Sequence, residues 1–166
     1  MYNHMQQWKM TMTSTHPDLP IKADDMFCFA VYAASHVINR AYAPLLKPLG
    51  LTYPQYITLT CLWETDGLGV GDLSRRLKME SSTLTPLLKR LERLGHIERR
   101  RGRDDERQVF VFLTRSGKAL RKKAPEVTAC MIEATRLDIG TLQDLVGTLR
   151  RLTDNLGNDQ PSTASR

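Results

Sequence analysis

Apolar residues recur every three or four positions along most of this chain, and strict alternation is confined to one short stretch. The contrast predicts a mainly helical protein with a small β element. Asp24 reads as the N-cap of a long first helix on which Phe27, Val31, Ala34, Ile38, Ala41 and Leu45 share a face. Pro44 and Pro48 mark its end, and Leu49-Gly50-Leu51 is a connector. A second helix follows Thr52, with Pro54 in its first turn and Ile57, Cys61 and Leu62 turned inward, and Asp66 to Gly69 ends it. Two short helices come next, at residues 71–77 and from about 82 to 94, separated by a turn at residues 78–81. The second carries an apolar stripe of Leu84, Leu87, Leu88, Leu91 and Leu94, with Gly95 as its C-cap and Pro86 tolerable only near its start.

Residues 97–101 and 108–113 read as two strands. The second alternates Val109, Val111 and Leu113 against Phe110 and Phe112. A charged tip, Gly102 to Arg107, joins them into a hairpin. Thr114 caps a further helix that is broken near Pro125 and continues through Cys130 to Leu137. A last helix covers residues 141–156, with Leu142, Leu145, Val146, Leu149 and Leu152 on one face. The polar segments 1–23 and 155–166 read as flexible ends around one domain, 24–154.

Charge sharpens this picture. Residues 75–123 hold sixteen Lys/Arg against six Asp/Glu, a balance of +10 in a chain whose total is +6, so the remainder sums to −4. A basic segment on a slightly acidic body is the electrostatic footprint of a polyanion binder. Helix, turn, helix and basic hairpin together make a winged helix-turn-helix. Its second helix suits the major groove, where base edges present a distinct donor and acceptor pattern. Ser82, Thr83 and Thr85 can reach phosphates or bases. Lys89, Arg90 and Arg93 suit phosphates, which position a protein without specifying sequence. The tip arginines Arg103 and Arg107 can enter a narrow minor groove. The expected partner is double-stranded operator DNA.

Other classes fare worse. No apolar run reaches the roughly 20 residues of a membrane span, and residues 1–22 lack the apolar core of a signal peptide. The three cysteines, at 28, 61 and 130, are odd in number and show no C-x-x-C spacing, which fits a reducing cytoplasm rather than a disulfide framework or a zinc site. There is no phosphate loop, metal cluster or nucleophile–base pair, so neither an enzyme nor a cofactor is expected. A thiol peroxidase is the alternative of a different class, but the basic hairpin would have no task in one.

Gly71-Asp72-Leu73, Leu84 to Glu92, Asp105-Glu106-Arg107 and Leu113-Thr114 resemble the MarR family of dimeric winged-helix repressors, over about Asp25 to Leu152. The resemblance implies a homodimer whose N- and C-terminal helices (24–50 and 115–154) intertwine, with residues 52–113 reading DNA. The runs Phe27 to Tyr32, Tyr42 and Leu51 to Tyr56 resemble the organic-hydroperoxide-sensing branch, the OhrR repressors. That likeness implies that Cys28 is the peroxidatic thiol. It implies that Tyr42 and Tyr53 hydrogen-bond Cys28 across the dimer, with Tyr32 nearby. It also implies that Cys130 of the other subunit resolves the oxidised thiol as a disulfide.

The chemistry has independent grounds. A thiol must ionise to attack a peroxide, and a helix N-terminus and hydroxyl donors both favour the thiolate. Asp24 and Asp25 push the other way. The inducer is then an organic hydroperoxide, suited to the apolar surround of Met26, Phe27 and Phe29. Two plainer readings stand beside it. A thiol in an apolar stretch is often a core residue, which is the reading for Cys61. The aromatic residues can instead line a pocket for a small phenolic inducer.

Overall fold

The computed structural model describes residues 22–102, 105 and 107–157. The expected flexible ends fall almost wholly outside that range, as does Arg103. The chain divides into two compact units, residues 1–40 and 41–166, and the division lies within the first long helix.

In the first unit, Ala23–Asp25 form a single 3-10 turn. Helix α1, Phe27–Leu46, follows. Asp24 is therefore not the N-cap of α1. Met26 is extended, and its carbonyl accepts the first α-helical bond, from Ala30 N–H at 3.0 Å. This later start puts Cys28 second in the helix, inside its first turn. At the other end Pro44 lies inside the helix rather than beyond it. It lacks an N–H, so the Arg40 carbonyl loses its intrahelical donor, and Arg40 is where the two units divide.

The second unit holds the core. A 3-10 turn at Lys47–Leu49 leads to α2, Tyr53–Glu64. Thr52 and Gln55 cap α2 reciprocally, with Thr52 N–H donating to Gln55 Oε1 at 2.9 Å. Strand β1, Leu68–Gly69, precedes α3, Val70–Leu77, and α4, Ser81–Arg93. Strands β2, Ile97–Arg101, and β3, Val109–Leu113, form the hairpin. Then come α5, Arg115–Leu120, a 3-10 turn, α6, Ala124–Thr135, and α7, Ile139–Gly157.

The sheet is antiparallel in the order β1-β3-β2, pairing Leu68 with Val111 and Ile97 with Leu113. Two strands were legible in the sequence. The third, only two residues long, has no period to read. The turn of α4 into the sheet is the glycine cap expected. Gly95 has φ +72°, its N–H bonds Glu92 C=O at 2.9 Å, and His96 N–H bonds Leu91 C=O at 3.1 Å. Pro86 is more interior than expected, yet α4 continues through it. Its missing N–H leaves the Ser82 carbonyl without its i+4 donor, and both residues are exposed to solvent.

Leu46, Leu59, Leu62, Leu73, Leu84, Leu88, Leu91, Ile97 and Val111 pack as one fully buried cluster. α7 buries no residue, and it extends to Gly157, past the expected boundary at residue 155. Asp138 starts α7 earlier than the apolar pattern suggested, because its carboxylate accepts from Thr141 N–H at 2.9 Å and Thr141 Oγ1 at 2.6 Å. Among the described residues, no helix is long and apolar enough to cross a membrane. The fold is mainly α with a small antiparallel wing, a winged helix-turn-helix.

Candidate functional site

The helix-turn-helix is α3, a turn and α4. Lys78 makes the turn in a left-handed conformation, φ 53°, and Ser74 Oγ donates to Met79 C=O at 2.6 Å across it. With Leu84, Leu88 and Leu91 pinned in the core, helical geometry turns the other face outward. Ser82, Thr83, Thr85, Lys89, Arg90 and Arg93 are all exposed there. The structure thus gathers all six expected helix residues on one solvent face.

The wing is held to that helix by Glu92 and Arg99. The Arg99 backbone N–H donates to Glu92 Oε1 at 3.1 Å, and its Nε and Nη2 donate to Oε2 at 3.0 and 2.6 Å. Arg99 hydrogen bonding holds the Glu92 carboxyl below its ordinary value. Across the hairpin, Arg100 lies 4.7 Å over the Phe112 ring. At the tip, Arg107 is exposed, and its backbone N–H bonds Asp105 Oδ1 at 2.9 Å. Between α3, α4 and the wing runs an open groove of about 540 Å³ whose walls include Arg75, Thr85, Arg99, Arg107 and Gln108. Arg75 was not singled out from the sequence. Its position off the Leu73/Leu77 stripe of α3 was the available signal.

The thiol residues are distributed as follows. Cys28, Cys61 and Cys130 are all free. Cys28 is exposed in the first turn of α1, and Tyr32 follows one helical turn later. Tyr32 packs edge-on against His36, with centroids 4.4 Å apart. In the second unit Tyr42 stacks on Tyr53, with ring centroids 4.4 Å apart, so the two tyrosines expected beside the Cys28 thiol lie next to each other. Sequence reasoning gave no role to Tyr56, which is buried 6.0 Å from Tyr42 and 5.8 Å from Trp63. Burial, then the neighbouring tyrosines, push the Tyr42 and Tyr53 hydroxyls up from their ordinary values. Burial raises Tyr56 too, partly offset by a hydrogen bond with the Thr128 side chain. All three therefore stay protonated near neutral pH and available as donors.

Cys130 is exposed on α6, on the wall of a hollow of about 130 Å³ formed with Leu45, Pro48, Leu49, Lys123, Glu126 and Val127. Cys61 differs from both. It is partly buried against the core, and burial raises its thiol, which suits the packing role expected of it. Among the described residues, no cluster of His, Cys, Asp and Glu could hold a metal ion.

Comparison with known proteins gives a consistent picture. Residues 40–124 match the family described as transcriptional regulator SarA/Rot. The HTH-type transcriptional regulator TtmR of Methylorubrum extorquens is 45% identical over 148 residues, covering 89% of this chain and 76% of that protein. The organic hydroperoxide resistance transcriptional regulator of Bacillus subtilis is 38% identical over 136 residues, covering 82% and 92%. Among solved structures, reduced AbfR bound to DNA superposes with a TM-score of 0.66 at 29% identity, covering 92% of this chain and 98% of that one. AbfR, from Staphylococcus epidermidis, is also solved with a disulfide formed, at TM-score 0.57, 31% identity and coverage of 89% and 96%.

Proposed function

Given that the chain belongs to the SarA/Rot family of transcriptional regulators, we propose that it is a homodimeric, cytoplasmic repressor of the MarR-type organic-hydroperoxide-sensing branch. Reduced, it holds operator DNA. Oxidation of Cys28 by an organic hydroperoxide releases it. The observation that carries this reading is an exposed thiol, Cys28, in the first turn of α1 of a chain 38% identical to an organic hydroperoxide resistance regulator.

The DNA contacts proposed are Ser82, Thr83 and Thr85 at the start of α4, with Lys89, Arg90 and Arg93 on phosphates and Arg103 and Arg107 at the wing. Exposed apolar side chains support the dimer. Phe27, Val31 and Val37 on α1 and Leu145, Val146 and Leu149 on α7 are left uncovered by their own chain. A two-fold dimer places two reading heads about one turn of DNA apart.

The redox step balances in two stages. The Cys28 thiolate attacks one peroxide oxygen and the O–O bond breaks. Sulfur becomes a sulfenic acid, and the other oxygen leaves as alkoxide and takes a proton to give the alcohol. The Cys130 thiol of the second subunit then attacks that sulfur, forming an S–S bond and expelling water. Tyr42 and Tyr53, held protonated, are proposed to donate hydrogen bonds to the thiolate, with Tyr32 beside it. Sulfur must leave those donors to reach Cys130, and the shift misaligns the two heads.

A mobility-shift assay with and without cumene hydroperoxide tests this. Wild type is expected to leave DNA on oxidation and Cys28→Ser to stay bound. Release of Cys28→Ser by the peroxide sinks the sensor assignment, and its release by a phenol alone points to non-covalent induction instead. Oxidised wild type should run as a cross-linked dimer on a non-reducing gel, and Cys130→Ser should not.

A further inference from the structure

We propose that Asp66 is a positioning residue of the DNA interface: its carboxylate stands in for a missing strand residue, fixes the base of the wing, and ties the wing to α5. The inference rests on the DNA-binding reading above.

β1 pairs with β3 through Leu68–Val111 and Gly69–Phe110. Two residues further along each strand, the same antiparallel register sets Asp66 opposite Leu113. Backbone pairing stops short of that point because Gly67 turns the chain away with φ +77°, and a Cβ there would stand 2.7 Å from the Phe112 ring. The Leu113 N–H is in a buried residue and still points toward β1. Asp66 Oδ1 accepts it at 2.8 Å and accepts Gly67 N–H at 3.0 Å. The side chain thereby extends the ladder by one step where the backbone cannot.

The second oxygen faces a different element. Asp66 Oδ2 lies 3.1 Å from Lys118 Nζ on α5. Beside it, Trp63 Nε1 donates to Gly117 C=O at 2.9 Å. One carboxylate thus joins the end of α2, the base of β3 and α5, the helix that leads toward Cys130. Burial opposes ionisation of Asp66, but the bonds from Leu113, Lys118 and Gly67 outweigh it and hold the carboxyl below its ordinary value.

Leverage makes this base matter. Arg107 stands six residues from Leu113, roughly 20 Å along an extended strand, so a tilt of about 10° at the base moves the tip by roughly 3 Å. That is enough to take a guanidinium out of reach of a phosphate. Glu92 secures β2 to α4, and Asp66 secures β3 to α2 and α5.

The test is a double-mutant cycle between Asp66→Ala and Arg107→Ala. Binding is measured on a short duplex that the wild-type protein selects from a random-sequence pool. Asp66→Ala should weaken binding about tenfold and flatten its salt dependence. Arg107→Ala, costly in the wild type, should then add less than about twofold, since a misplaced tip has nothing left to lose. Asp66→Asn keeps an acceptor for Leu113 N–H but loses the charge paired with Lys118, so it should recover only part of the affinity, and thermal melting of each variant beside its binding curve separates a displaced wing from a loss of general stability. Fully multiplicative effects, or unchanged affinity in Asp66→Ala, overturn the proposal. Should Asp66→Ala fail to fold, Lys118→Met replaces it in the cycle, with multiplicativity again the overturning result. A wild type that selects no duplex, or that loses nothing with Arg107→Ala, shows instead that the DNA-binding reading itself has failed.

Discussion

The reading head and the terminal helices are built from similar leucine-rich patterns and end in opposite states. Leu84, Leu88 and Leu91 of α4 are 0%, 1% and 0% exposed, whereas Leu145, Val146 and Leu149 of α7 are 48%, 47% and 37% exposed. The head closes its core within one chain. α7 presents an equally apolar stripe that one chain leaves open, and α1 does the same at Phe27, which is 66% exposed. Periodicity reports that a helix has an apolar face. It does not report whether the covering surface lies in the same molecule.

The largest expected effect attacks the open face. Replacing Val146 and Leu149 by Glu should leave the head folded and the protein monomeric by sedimentation, with operator affinity lower by roughly 10²–10⁴-fold as linked half-site binding is lost. A dimer that survives would remove α7 from the interface. Next is the closed core, where Leu88→Ala should cost about 2–5 kcal/mol in chemical denaturation, while Leu145→Ala should change the stability of an isolated monomer far less. Equal costs would erase the distinction between the two regions. Third, Arg107→Ala should weaken DNA binding about tenfold and reduce its salt slope by about one; unchanged affinity removes the wing from the contact. Fourth, Thr114 accepts from Gly117 N–H at 3.1 Å and donates to Gly95 C=O at 2.6 Å, so Thr114→Ala should cost about 1 kcal/mol by thermal melting.

The smallest effect concerns acid. Asp66 and Glu92 both ionise below their ordinary values in the folded chain. Their contribution is whole at neutral pH and is lost as pH falls below the ordinary carboxylate range through the lowered values. Glu92→Gln should therefore flatten the acid limb of the stability profile and leave its slope near neutrality unchanged.

What the sequence disclosed follows from the range of each signal. The leucine stripe of α4, the Thr114 cap and the alternation of β3 are local, and each was legible. β1 was not, because two residues carry no period and their pairing with β3 spans more than forty positions. The role of Asp66 was hidden for the same reason, since Leu113 lies 47 residues away. The Asp24 cap failed on a local competitor, a 3-10 turn with its own hydrogen bonds. At the site, the basic face of α4 was legible from its own pattern, and Tyr42 and Tyr53 were named from the resemblance, though not as a stacked pair. Tyr56 could not, since only folding brings it against Tyr42, Trp63 and Thr128.

Trp63 gives this architecture an optical handle. Its indole N–H is bonded to Gly117 C=O, it is one of two tryptophans in the chain, and the other, Trp8, lies outside the described residues. In a Trp8→Phe background the protein would carry a single native fluorophore at the junction of α2 and α5. Emission from an indole depends on its polarity and hydrogen bonding. Any rearrangement that parts those helices would therefore register as a colour and intensity change in unlabelled protein, in real time.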